Sequence, residues 1–207
     1  MRVSREQAEK NRRHVVEVAS RLFRERGFDG IGIADLMKAA GLTQGAFYGQ
    51  FRSKDHLAAE ATAAALAASR STWDEVTAAA EDDGLGALTR RYLSDDHRRR
   101  VAQGCPLPAL AADVARSGPE ARAAFRRGLK GHADMLAGLL SPAEENPAGG
   151  RDAALATLST MVGAVLLSRA VDDDTLAERI LAAAAADVSA RARPSQAPPR
   201  VPDTPER

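Results

Sequence analysis

Apolar and polar positions follow a helical period along most of the chain. Between Arg5 and Arg26, Val15, Ala19, Leu22 and Phe23 share one face and Arg and Glu occupy the other, so the spacing predicts an amphipathic helix. Gly27 stops it, as a glycine just past a helix end does. Ile33, Leu36, Met37 and Ala40 mark a second, short helix, Gly41-Leu42-Thr43 interrupts it, and Ala46, Phe47 and Phe51 mark a third. Ser53 reads as the N-cap of a long Ala-rich helix from Lys54 to Ala80. After Asp82-Asp83-Gly84, a stripe of Leu85, Leu88, Tyr92 and Leu93 ends at the basic run Arg98 to Arg100. Gly104-Cys105-Pro106 breaks the chain before Leu107 to Val114, and Ser117 is placed to cap a helix near Pro119 to Leu140. A loop from Ser141 to Gly150 leads into a strongly apolar helix, Arg151 to Val171, and Asp172 to Asp174 cap the last helix, Thr175 to Ala190. Residues 191–207 hold a cluster of prolines and no aromatic residue, so they predict a disordered tail.

Composition turns this pattern into a fold class. The chain has 207 residues, 44% apolar but only 4% aromatic, and the apolar share is mostly Ala and Leu, which favour helix over strand. An all-α fold is predicted. The single cysteine, Cys105, excludes an internal disulfide and a multi-cysteine metal site. No run is read as reaching the roughly 18 to 20 apolar residues of a membrane span. The charged N-terminus (Arg2, Arg5, Glu6, Glu9, Lys10) has no apolar stretch behind it, so no signal peptide is expected and the expected compartment is the cytoplasm. His14, His56, His97 and His132 are scattered and predict solvated or capping roles rather than a metal site, and the run His97 to Arg100 predicts a solvated face. No Ser/His/Asp, nucleotide-loop or paired-carboxylate constellation appears, so no catalytic residue, cofactor or enzyme activity is expected. The charge distribution points elsewhere. Residues 1–56 carry 11 Lys and Arg against 7 Asp and Glu, a net +4, while the remainder is net −3. A basic head on an acidic body suits a polyanionic partner.

The stretch from Ile33 to Leu57 carries the function. Two short helices around a glycine turn, with apolar residues spaced to pack on a third, make a helix-turn-helix. Ile33, Leu36 and Phe47 are expected to face Val15, Ala19 and Phe23. Gly41 supplies a left-handed turn that a Cβ would penalise, and the Thr43 hydroxyl is placed to cap the next helix. That leaves Thr43, Gln44, Ala46, Tyr48, Gly49 and Gln50 as the exposed DNA-reading face, with Tyr48 turned about 100° from its neighbour Phe47. Lys54 is expected to meet a phosphate.

Gly27-Phe28, Ile33-x-Asp35-Leu36, Ala40-Gly41-Leu42-Thr43-x-Gly45-Ala46-Phe47-Tyr48-x-x-Phe51-x-Ser53-Lys54-x-x-Leu57 resembles the N-terminal domain of TetR/AcrR-type transcriptional regulators. The resemblance spans about residues 9–69, with the motif near 32–51. Two places depart from the family pattern: Ile31-Gly32 stands where a Thr or Ser often caps the first motif helix, and Gln50 stands where His is common. The resemblance implies a homodimeric repressor that binds pseudo-palindromic double-stranded operator DNA and is released by a small-molecule inducer, with no membrane partner. It assigns residues 70–190 to a helical ligand-binding and dimerisation domain. Trp73, Tyr92, Leu110, Phe125, Met135 and Met161 are candidate pocket residues, although each taken singly reads as core rather than as a ligand contact. Cys105 is a further candidate, as a buried thiol or as a sensor at the start of the helix opened by Pro106. A helical thiol-dependent sensor or enzyme without transcriptional control is the alternative. The dimer is expected from the last two helices, where Leu155, Leu158, Met161, Val162, Val165 and Leu166 offer more apolar surface than one bundle face needs, so charge at Leu158 or Val165 is expected to give monomers.

Overall fold

The structure, a computed structural model, describes residues 4–140 and 147–191. The Pro-rich tail beyond Arg191 and residues 141–146 of the expected loop lie outside the described residues. The described residues form helices and no strand: α1 (Arg5–Arg26), α2 (Ile33–Ala39), α3 (Gly45–Tyr48), α4 (Lys54–Ala78), α5 (Gly84–Tyr92), α6 (Asp95–Arg99), α7 (Pro106–Arg116), α8 (Pro119–Leu140), α9 (Pro147–Ala170) and α10 (Asp174–Arg191). This is the predicted all-α fold, a three-helix N-terminal unit followed by a helical bundle.

The caps explain most boundaries. The Ser4 hydroxyl accepts from the Gln7 N–H, the Ser53 hydroxyl from His56 and the Asp173 carboxylate from Leu176. Ser117 departs from expectation. Its hydroxyl donates back to the Asp113 carbonyl at 2.8 Å and closes α7, leaving α8 to start on Pro119. The basic run after Tyr92 departs too. Ser94 caps a separate helix, α6, and folds Arg98 under α9, where it is 8% exposed. Arg98 pairs with Asp95 at 2.7 Å and with Asp174 at 2.6 Å, so the N-terminus of α10 is tied to α6 by a shared cation. Of the expected solvated face, Arg98 is therefore covered, while its partners Asp95 and Asp174 stay at the surface.

Two apolar clusters form. One joins Val15, Ala19, Phe23, Leu36, Phe47, Phe51 and Leu57 of the N-terminal helices and recruits Leu110 and Val114 from α7. The other joins Trp73, Leu88, Leu136, Leu158, Met161, Val165 and Leu181. The two meet along α4, whose first half packs in one and whose second half packs in the other. Residues Gly150–Ala170 of α9 are long and apolar enough to cross a membrane by length and composition, contrary to the expectation from the sequence. In this fold Ala154, Leu158, Met161 and Val165 of that segment are buried against the rest of the chain.

Where α4 crosses α8, a Cβ added to Gly128 would sit 2.7 Å from the Leu66 Cβ and 2.6 Å from its Cδ1. The overlap involves the root of Leu66, so the helices themselves must separate. Gly128→Ala is expected to lower stability by about 1 to 3 kcal/mol despite alanine's better helix propensity. Gly138→Ala, on the same helix with nothing near its added Cβ, is expected to raise it by about 0.5 to 1 kcal/mol. Urea unfolding of both variants checks the contrast.

Candidate functional site

The helix-turn-helix is held by backbone bonds that only a left-handed residue allows. Gly41 adopts φ +70°, its N–H donates to the Lys38 carbonyl at 3.0 Å, and Leu42 N–H donates to Met37 O at 2.8 Å. This pair of bonds closes α2 and turns the chain into α3. Phe47 is fully buried and Tyr48 is 67% exposed, its ring edge resting on Phe47 at 5.3 Å. Phe47 also meets Phe51 at 5.5 Å, and Arg12 lies over the Phe51 ring while pairing with Glu60 of α4. The motif is thus pinned from below by aromatic packing and by a cation that spans α1 and α4.

Of the predicted DNA face, Thr43, Gln44, Tyr48 and Gly49 are exposed, together with Gly45. Ala46, Gln50 and Lys54 are half-buried. Gln50 turns its Oε1 inward, where it has no hydrogen-bond partner among the described residues. Thr43 does not cap with its hydroxyl. Gln44 holds the cap position without a side-chain bond, and the Thr43 carbonyl accepts from Ala46 N–H at 3.1 Å. The Thr43 hydroxyl stays outside the helix's own bonding.

A second feature lies behind the head. A cavity of about 240 Å³ opens between α4, α5, α6 and the segment before α7, with Trp73, Tyr92 and Cys105 on its wall. Leu110, Phe125, Met135 and Met161 are not on that wall. Leu110 belongs to the head cluster, Met161 is fully buried in the body cluster, and Phe125 and Met135 pack against it. The sequence reading missed the cavity's polar members, Arg24, Arg91, His97 and Arg100. The clustering of Arg91 with His97 to Arg100 around a buried aromatic stripe was the available signal. Arg24 left none, because it meets the cavity across 80 residues of sequence: its guanidinium donates to the Gly104 carbonyl at 2.7 Å.

His97 is locked by backbone on both sides. Nδ1 donates to the Tyr92 carbonyl at 2.6 Å, and Nε2 accepts the Cys105 N–H at 2.8 Å. Burial, only partly opposed by the bond to Tyr92, lowers its pKa to about 4, so it is neutral near pH 7. His132 is also buried, bonded to the Gly128 carbonyl and Ser69 and set edge-on to Trp73 at 4.6 Å. These two histidines are structural rather than solvated. Cys105 is 4% exposed, and burial raises its pKa even with Tyr92 and Ser69 beside it. Among the described residues no group of His, Cys, Asp or Glu has the arrangement of a metal site.

Comparison with known proteins fits this geometry. Residues 15–61 match the family described as bacterial regulatory proteins, tetR family, and residues 83–185 match the C-terminal domain described as transcriptional regulator LmrA/YxaF-like. The chain is 28% identical to the HTH-type transcriptional repressor NemR of Escherichia coli K12 over 138 residues, covering 65% of this chain and 69% of that protein. It is 33% identical to the HTH-type transcriptional regulator TtgR of Pseudomonas putida over 97 residues, 45% of this chain and 44% of the relative. The crystal structure of the reduced form of E. coli NemR superposes with a TM-score of 0.74 at 24% identity, covering 87% of this chain and 96% of that one.

The depressed pKa of His97 makes stability depend on acid. Between pH 6.5 and about 4 the unfolded chain binds a proton at this site and the folded chain does not. This contribution is therefore complete above pH 6.5, and each unit below it costs roughly 1.4 kcal/mol until the folded form also protonates. His97→Gln is expected to be less stable at pH 7 and to lose less stability between pH 6.5 and 4.5 than the parent chain. Urea unfolding at both pH values checks this, and an equal acid loss in the two proteins would contradict it.

Proposed function

We propose that this chain, which belongs to the TetR/AcrR family of transcriptional regulators, is a homodimeric repressor released from its operator by a small molecule. The observation that carries the reading is the exposed surface of Thr43, Gln44 and Tyr48 on a short helix fixed from below by buried Phe47. A helix held this way presents its N-terminal residues to base edges in a major groove. Lys54, at the start of α4 with no carboxylate partner among the described residues, suits a phosphate. Two such heads in a dimer read pseudo-palindromic half-sites ~34 to 36 Å apart. We take residues 9–69 as the DNA-binding head and 70–190 as the body that binds the inducer and the second subunit. Its place of action is the cytoplasm, with the DNA. The cavity does not suit catalysis. Both His97 nitrogens are committed to backbone, and the Cys105 thiol is held above its ordinary pKa, so the thiol-dependent alternative lacks an activating base.

The dimer surface is read from α9 and α10, with a revised set of residues. Leu158 and Val165 are 3% and 0% exposed within their own chain, so charge there is expected to unfold the body rather than separate subunits. The outward apolar residues are Leu155, Leu166 and Leu167 of α9 and Leu176 of α10, flanked by exposed Ala182, Ala183 and Ala186. Small residues let helices from two subunits approach closely.

Lys54→Ala is expected to weaken binding to all DNA sequences about equally and to reduce the salt slope by roughly one. Gln44→Ala is expected to change which bases are selected from a random pool. A Lys54→Ala protein with altered base preference and an intact salt slope would reverse these roles. Leu166→Glu with Leu167→Glu, at 51% and 57% exposure, is expected to give a folded monomer in sedimentation with weakened operator binding. An unchanged dimer would move the interface elsewhere.

A further inference from the structure

The cavity beside Cys105 has a charge that the described residues do not neutralise. Arg24, Arg91 and Arg100 reach its wall, against one acid, Asp96, which is already paired with Arg100 at 2.7 Å. Neither Arg24 nor Arg91 has a carboxylate partner among the described residues, and Arg24 bonds only the Ser20 carbonyl and hydroxyl and the Gly104 carbonyl. Arg24 is half-buried, and its partial loss of water lowers its pKa. A fourth guanidinium, Arg169, lies behind Gly104, where a Cβ on that glycine would come 2.9 Å from its Nη2. It donates to the carbonyls of His97 and Arg98, and its buried Nη1 has no partner among the described residues. The Tyr92 hydroxyl, on a side chain 3% exposed, makes no well-aligned hydrogen bond among the described residues and has the Cys105 thiol beside it. The remaining wall is aromatic and apolar, with Trp73 and Tyr92 set edge to face at 5.5 Å beside Leu88.

Half-buried Arg24 and Arg169 and exposed Arg91, none with a carboxylate partner among the described residues, and an unsatisfied hydroxyl beside an aromatic-lined space suit an anionic ligand. We propose that the small molecule bound by this cavity is an organic anion, a carboxylate on a compact aromatic or apolar body, with its charge on Arg24 and its body against Trp73 and Tyr92. This rests on the reading of the chain as a ligand-released DNA-binding regulator and adds the chemical class of the ligand and the route of its effect. Arg24 belongs to α1 of the head, and Gly104 belongs to the body. A carboxylate is a stronger acceptor for a guanidinium than a peptide carbonyl. On binding, the anion draws Arg24 from the Gly104 carbonyl and releases α1 from the segment that leads into α7.

Calorimetric titration with benzoate, 3-phenylpropionate and 2-naphthoate, each paired with its neutral carboxamide, tests the class. At least one acid is expected to bind about tenfold or more tightly than its amide and to weaken operator binding in a gel shift. Arg24→Met is expected to abolish that preference. Arg91→Gln removes an exposed cation with no structural partner and is expected to reduce the preference in a normally folded protein. Amides that match or exceed the acids, or acids that do not bind at millimolar concentration, would overturn the proposal while leaving the regulator reading intact if the operator is still bound. A parent protein that selects no DNA sequence would overturn the regulator reading instead, whatever the cavity binds.

Discussion

One helix belongs to two cores, and that constraint governs the rest of the molecule. Residues Leu57, Ala58 and Ala61 of α4 close the cluster beneath the helix-turn-helix, while Leu66 and Trp73 of the same helix close the cluster of the body. At 1.5 Å per residue, its 25 residues span about 37 Å. Packed interiors resist continuous deformation, so α4, packed in both clusters, is a stiff link between them. Arg12 strengthens the head end by pairing with Glu60 over the Phe51 ring, and the tight Gly128–Leu66 crossing fixes α4 against α8.

A second connection runs beside the rod. Leu110 and Val114 of α7 sit in the head cluster, and Gly27, at the end of α1, lies so close to α7 that a Cβ there would meet the Asp113 carboxylate at 3.2 Å. Arg24 bonds the chain just before α7. The cavity is bounded by α4 on one side and by Arg24 of α1 with the Gly104–Cys105 segment before α7 on the other, so its wall includes parts of both links between head and body. Two structural histidines hold the walls: His97 joins the end of α5 to the Cys105 backbone, and His132 braces Trp73 from α8. Their neutrality near pH 7 keeps further positive charge out of a space already rich in guanidinium.

Local features of this arrangement were legible in the sequence, and long-range ones were not. Period and capping placed α1, α2 and α4 closely, because Gly27, Gly41 and Ser53 act on their own neighbours. The opposed fates of Phe47 and Tyr48 follow from the angle between adjacent helical residues. Thr43 and Ser117 were misread because a hydroxyl near a helix end has more than one backbone partner within reach. Arg98 was misread because a basic run looks alike whether it faces water or folds beneath another helix, and Asp174, its partner, lies 76 residues away. On α9 the apolar surface runs nearly all round, so periodicity could not separate Leu158 and Val165, which serve their own core, from Leu166 and Leu167, which do not. The Arg24–Gly104 bond had no local signature at all.

On the proposed route of release, the Arg24–Gly104 bond holds the head in its DNA-binding pose when no ligand is present. Operator affinity of Arg24→Met, measured without any ligand alongside its melting curve and sedimentation, tests it most directly. Arg24→Met is expected to melt cooperatively and to remain dimeric while its operator affinity falls by about tenfold or more, as loss of one charge-assisted hydrogen bond implies. A folded dimer that binds the operator as tightly as the parent chain would contradict it.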